Sequence, residues 1–162
     1  MLVLLLATAG GIGQIAAAYD SMPERIASHF DLAGNVDGWS SREEFAITMA
    51  SLHIAFLLMF GAMRPLLRRI PDAMVNLPHK DWWLAPERRD NTHEWIAGSL
   101  AWMGALAQML MVGITSISLC VSRGAEHALP PTAHWLLLLA FLLGVATWLA
   151  VFFRRFRHNS HA

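Results

Sequence analysis

The chain has 162 residues, 56% of them hydrophobic and only 15% charged, with a mean hydropathy of +0.43. An average soluble domain is about 45–50% apolar and roughly 25% charged, so the apolar surplus needs more than a small core to cover it, and lipid is the simplest cover. The formal net charge is zero and the one cysteine, Cys120, sits in an apolar run. That excludes a nucleic-acid footprint, an intrachain disulfide and a cysteine-based metal cluster.

Met1 to Ala18 carries no charge. At about 1.5 Å per residue it just reaches across a hydrocarbon core of about 30 Å. A signal peptide cleaved after Ala16-Ala17-Ala18 would need a basic segment in front, and none is present, which favours a retained span. The missing polar flank leaves room for a start further upstream. Small residues at Ala7/Gly11 and Ala9/Gly13 have the spacing that lets helices approach closely.

Residues 19–44 form the first long polar segment. With Phe45 it holds Asp20, Glu24, Asp31, Asp37, Glu43 and Glu44 against only Arg25 and Arg42. Ser21 to Glu24 has the spacing of a capping box with Pro23 in the first turn. Met22, Ile26 and Phe30 recur every four residues, which predicts a short helix with one apolar face. Residues 33–38, with Gly34 and Gly38, supply a turn. Ser40/Glu43 and Ser41/Glu44 are overlapping capping boxes for the next helix. Tyr19 and Trp39 stand at the ends of this cap, where interfacial aromatics belong.

Residues 45–63 make the second span, stopped by Arg64-Pro65 with Arg68 and Arg69 beyond. Residues 70–93 contain three prolines and so are not expected to form one helix. Trp82 and Trp83 beside Asp81 suit backbone at headgroup level, and Pro86 to Arg89 reads as the first turn of the following helix. The third span covers 96–121. The fourth, 132–153, follows Pro130-Pro131 and ends at Arg154, Arg155 and Arg157, with a short tail at 154–162.

Four spans put both termini and the 64–93 loop on one side. That side holds nine basic residues, namely Arg64, Arg68, Arg69, Lys80, Arg88, Arg89, Arg154, Arg155 and Arg157, against Arg25, Arg42 and Arg123 on the other. The positive-inside rule then makes the termini and the 64–93 loop cytoplasmic and turns the acidic cap outward. The fold expected is an all-α integral membrane protein, one domain built as a four-transmembrane-helix bundle with a short extracytoplasmic helix-turn cap.

Pro23, His29-Phe30, Gly34 and Asp37-Gly38 ahead of a span resemble an uncharacterised bacterial membrane-domain family, shared with the N-terminal module of Sdp-type immunity proteins. Arg42 stands where the family pattern usually has a lysine, which keeps the charge and changes the geometry. Asn76 to Arg89 is similar to a segment found in many members, so the resemblance runs over about residues 1–89. It implies an immunity-like role in a bacterial cytoplasmic membrane.

The candidate functional residues fall into three groups. In the cap they are Pro23, His29, Phe30, Asp31, Gly34, Asp37, Gly38 and Arg42. His29, Asp31 and Asp37 have the donors of a metal or proton site. In the simpler reading His29 caps the short helix and bonds a neighbouring carboxylate, and the lack of a second nearby histidine favours it. Asn35, Asp37 and Glu44 overlay part of a calcium loop, but Ala33 stands where its first ligand belongs, so a turn is expected.

In the loop the candidates are Asn76, Pro78, Lys80, Asp81, Trp82, Pro86, Glu87 and Arg88, a second surface for a partner. At membrane depth they are His53 and Gln108, where polar groups are costly and either functional or bonded between helices. The Arg64, Arg68, Arg69 cluster suits anionic lipid headgroups, although topology alone accounts for it.

No nucleophile elbow, phosphate loop, zinc-protease motif or intramembrane carboxylate pair occurs. A non-enzymatic binding or accessory protein without a cofactor is therefore expected. Its cap would meet an extracytoplasmic peptide or protein, and the lipid bilayer and a membrane-protein complex or homo-oligomer would be its other partners. The alternative is a small oligomeric transporter or channel subunit using His53 and Gln108.

Overall fold

The structure, a computed structural model, describes residues 1–124 and 132–157. Pro130-Pro131 and residues 158–162 lie outside the described residues. In chain order the elements are α1 (Leu2–Ala18), β1 (Arg25–Phe30), β2 (Val36–Ser41), α2 (Arg42–Gly61), α3 (Met63–Leu67), α4 (Lys80–Trp83), α5 (Arg89–Ser122) and α6 (Ala133–Arg155). Single 3₁₀ turns lie at Tyr19–Ser21 and Asp72–Met74.

Four of the helices are long and apolar enough to cross a membrane: α1, α2 continued through α3, α5 and α6. The outermost, α6, has no buried residue. Leu136, Leu139, Leu142 and Leu143 are each more than half exposed. A soluble monomer rarely shows so large a continuous apolar surface, whereas a lipid-facing helix requires one. The chain thus has the helices of a multi-pass membrane protein.

Helices α1, α2 and α5 pack on one another, and α6 packs on α5. Gly11 makes room on α1 for a side chain of α2: a Cβ there would lie 2.1 Å from the His53 ring. Helix α5 has 34 residues, about 51 Å at 1.5 Å per residue, and outruns a hydrocarbon core of about 30 Å. Its two ends therefore reach into the polar layers. At its start, Ile96 and Ala97 join Leu67, Val75, Leu77, Trp83, Leu84 and Phe156 in one buried cluster. Near its end, Leu119 joins Ile15, Met22, Ile26, Phe45 and Ala46 in another.

The cap corrects the all-α expectation. Residues 25–30 form a strand, antiparallel to 36–41, and not a helix. Met22 and Ile26 are buried as their apolar character requires, but extended backbone delivers them. One helical turn or two would be marginal here, while the turn at 31–35 closes a hairpin directly. The Ser21–Glu24 capping box is also absent: Ser21 Oγ donates to the Ala18 carbonyl and closes the 3₁₀ turn (2.8 Å).

Of the two boxes before α2, Ser41/Glu44 forms in full, and Ser40 Oγ is buried without a partner among the described residues. Helix α2 ends at Gly61, just before Arg64-Pro65, and Pro65 lies within the short α3. Pro86 does not begin α5: residues 85–88 make a separate turn, Arg88 is the N-cap and Arg89 starts the helix.

The helix contacts predict a contrast among the α1 glycines. Gly11→Ala is expected to destabilise the bundle by about 1–3 kcal/mol, the usual cost of overpacking. Gly10→Ala and Gly13→Ala, where a Cβ meets nothing within 4 Å, are expected to be neutral or slightly stabilising. Unfolding in a graded detergent series measures all three.

Candidate functional site

The hairpin is mounted on the helix ends. The buried part of β1 gives one hydrogen bond to the bundle: the Ala27 amide donates to Ser122 Oγ at 2.8 Å, and that hydroxyl donates to the Ser118 carbonyl at 2.5 Å. Arg123 Nη2 donates to Ser21 Oγ at 2.8 Å. On the other side, the Arg42 amide donates to the Glu24 carbonyl (3.1 Å), its guanidinium reaches the Met22 carbonyl (3.4 Å), and its charge lies over the Tyr19 ring. Arg42 thus acts as a brace, while Pro23 is half-buried where the chain enters β1.

The turn is closed by Asp31. Its carboxylate accepts from the Asn35 amide at 2.8 Å and from Asn35 Nδ2 at 3.0 Å, and its carbonyl accepts from the Gly34 amide at 3.0 Å. Side-chain and backbone hydrogen bonds from Asn35 hold the Asp31 carboxyl below its ordinary value of 3.8. Gly34 has φ +87° and lies against the His134 ring at the start of α6. Both properties require glycine.

The register shifts on either side of His29, which pairs with Gly38. A Cβ on Gly38 would come within 2.8 Å of His29 Cβ. The irregularity leaves the His29 ring bonded to Asp37 across the strands, with both side chains exposed. Asp31 is turned to Asn35 instead, so the three-residue set does not assemble. Among the described residues no group of three or more His, Cys, Asp or Glu can hold a metal. His29 caps no helix, but the carboxylate partner expected for it is present. Phe30 is half-buried.

What faces away from the bundle is a short polar and aromatic surface. Arg25 and Trp39 stack across the strands, guanidinium to ring centroid 5.7 Å. Leu32 at the tip is 85% exposed and Trp39 47%. Arg25, Trp39 and Leu32 went unremarked as site residues in the sequence. Their signal was strand periodicity, which the four-residue spacing of Met22, Ile26 and Phe30 hid.

Between the spans, His53 and Gln108 do meet. His53 Nδ1 lies 2.7 Å from Gln108 Oε1, and Gln108 Nε2 donates to Thr8 Oγ1 at 2.6 Å. The Thr8 hydroxyl donates in turn to the Leu4 carbonyl at 2.9 Å. Since Thr8 is already a donor there, it must accept from Gln108 Nε2. That leaves Gln108 Oε1 to accept from His53 Nδ1–H. His53 and Gln108 are fully buried, and His53 Nε2 has no partner among the described residues. Thr8 completes the set and could not be told from any other intramembrane threonine in the sequence.

At the opposite end of the bundle lie the 62–93 segment and the close of α6. Glu94 accepts from Arg64 Nε (2.9 Å) and Arg68 Nη2 (2.5 Å), and Arg89 pairs with Asp72 (2.8 Å). Arg88 lies over the Trp82 ring at 4.1 Å and donates to the Trp82 carbonyl. Lys80, Asp81 and Pro86 line a shallow depression with Asp72 and Leu84. Asn76, Pro78 and Glu87 are exposed and do not join it. Trp83 is buried against Phe156, with Arg155 over its outer side, so this indole is structural.

Residues 4–53 match the family profile of a domain of unknown function, DUF1648. The match covers about a third of the chain and runs through α1, the hairpin and the first half of α2 to His53, leaving 76–89 outside it. No curated protein and no solved structure matches the chain. The matched segment contains the whole exposed hairpin surface just described and two of the three residues in the buried polar string.

Two outcomes follow. Ser122→Ala leaves the Ala27 amide unpaired in a half-buried place, and a loss of about 1–3 kcal/mol is expected; accelerated hydrogen exchange at Ala27 reads it. The Asp31 carboxyl is lowered on folding, so its contribution is full above pH 3.8 and lost as pH falls through the lower folded value. The Asn35 amide resonance is therefore expected to stay fixed from pH 7 to about 4 and to move only below that.

Proposed function

We propose that the protein is a non-enzymatic binding or accessory component of a bacterial cytoplasmic membrane, and that its hairpin docks an extracytoplasmic peptide or protein. The observation that supports this most is the pairing of a braced backbone with exposed side chains. The hairpin is tied to α2 and α5, yet Arg25, His29, Leu32, Asp37 and Trp39 are exposed. A preformed surface loses little freedom on binding, and Trp and Arg are the residue types that most often dominate interface energies. An immunity-like role is one form of this reading, with the bound species a peptide.

The positive-inside rule supports the orientation, with the hairpin outside and the arginine-rich end inside. The transport alternative draws less support, because His53 and Gln108 spend their facing atoms on each other and on Thr8.

Co-purification of the full chain from native membranes tests the proposal. Trp39→Ala with Arg25→Ala is expected to weaken partner recovery at least about tenfold, as for a central interface residue. The His29→Ala, Asp37→Ala variant is expected to reduce it as well. Recovery unchanged in both variants would sink the reading, as would a tag at residue 32 that is protected from reagents outside the cell.

A further inference from the structure

A groove of about 730 Å³ opens between α5 and α6 toward the arginine-rich end. Its walls are Trp95 and Trp102 on α5 and Trp148 and Val151 on α6, and its floor is Gly98 and Gly144. The volume falls within the roughly 300–1,000 Å³ typical of ligand sites, which are mostly apolar with a few placed polar groups. The groove is built to stay open. Trp148 Nε1 donates to the Ser99 carbonyl at 2.8 Å, which fixes that indole as a wall, and a Cβ on Gly98 would meet nothing within 4 Å.

Gly98 and Met1 also line a smaller adjacent cleft of about 110 Å³, together with Arg64 and Glu94. There two arginines, Arg64 and Arg68, share one carboxylate. The rim keeps a net positive charge and several N–H groups that Glu94 does not use, since each guanidinium has five.

We propose that this groove binds an anionic phospholipid, with an acyl chain along Gly98 and Gly144 and the phosphate at Arg64 and Arg68. The groove lies on helices read as membrane-spanning, so hydrocarbon is its surrounding solvent. The three indoles and the arginines follow the order of depth that a lipid presents, chain first and headgroup above. A second copy of the chain is a poorer occupant. A two-fold pair brings the same patch to both sides, and would set two arginine-rich rims at one depth. The site is separate from the hairpin and does not depend on which way the bundle faces.

Native mass spectrometry of the full chain, released from nanodiscs of equal phosphatidylglycerol and phosphatidylcholine, tests it. Wild type is expected to retain phosphatidylglycerol about fivefold over phosphatidylcholine, the factor that one net charge at a membrane surface gives. Gly98→Leu fills the groove and is expected to lower retention of both lipids, as is Val151→Trp from the opposite wall. Arg64→Gln with Arg68→Gln is expected to abolish the preference, bringing phosphatidylglycerol retention down to that of phosphatidylcholine. Equal retention of the two lipids by wild type overturns the proposal. So does undiminished retention in the two filling variants, or a two-chain mass that disappears in Gly98→Leu.

Discussion

Gln108 is the residue on which the arrangement of the bundle turns. Helices surrounded by hydrocarbon gain nothing from burying leucine against one another, so small residues and hydrogen bonds decide how they fit. Gln108 on α5 holds His53 on α2 with one end of its amide and Thr8 on α1 with the other. Gly11 lets the imidazole sit flush against α1. Each such bond contributes only about 0.6–2 kcal/mol, yet together they allow one axial alignment of three helices, because sliding any of them strands a buried polar group.

With that alignment set, α5 carries both working ends of the molecule. Its first turns hold Glu94 under Arg64 and Arg68, and Thr92 Oγ1 donates to the Trp83 carbonyl at 2.8 Å. Its last turn offers Ser122 to β1. The helix exceeds the membrane thickness because it is structural in three layers at once. Helix α6 has a different part. It touches α5 through Leu137 on Gly113, Leu106 on Gly144, Trp148 on Ser99 and Phe152 on Trp95, and turns much of its leucine outward. The groove lies between the Leu106–Gly144 contact and the Trp95–Phe152 contact nearer the arginine-rich end.

The four long helices were legible from uncharged runs of near-membrane length, and the Ser41/Glu44 cap from a four-residue motif. The hairpin was not. Met22, Ile26 and Phe30 fit a helical period, and Ile26 is equally at home on a strand; only pairing with residues 36–41 decides, and pairing is not local. His53 and Gln108 stood out because polar side chains are rare at that depth, but that they bond each other depends on the relative height of α2 and α5. Glu94 was masked by its place at the head of an apolar run. The groove at Gly98 is a property of two helix surfaces and has no trace in either one.

Ser41 is the last residue of β2 and also the N-cap of α2. Sheet and helix consequently share a residue, with no slack joint between them. A load applied at the hairpin tip cannot be absorbed by a linker. It passes straight into a rod of twenty residues whose far end lies beside Arg64, so the two faces of the bundle are mechanically in series.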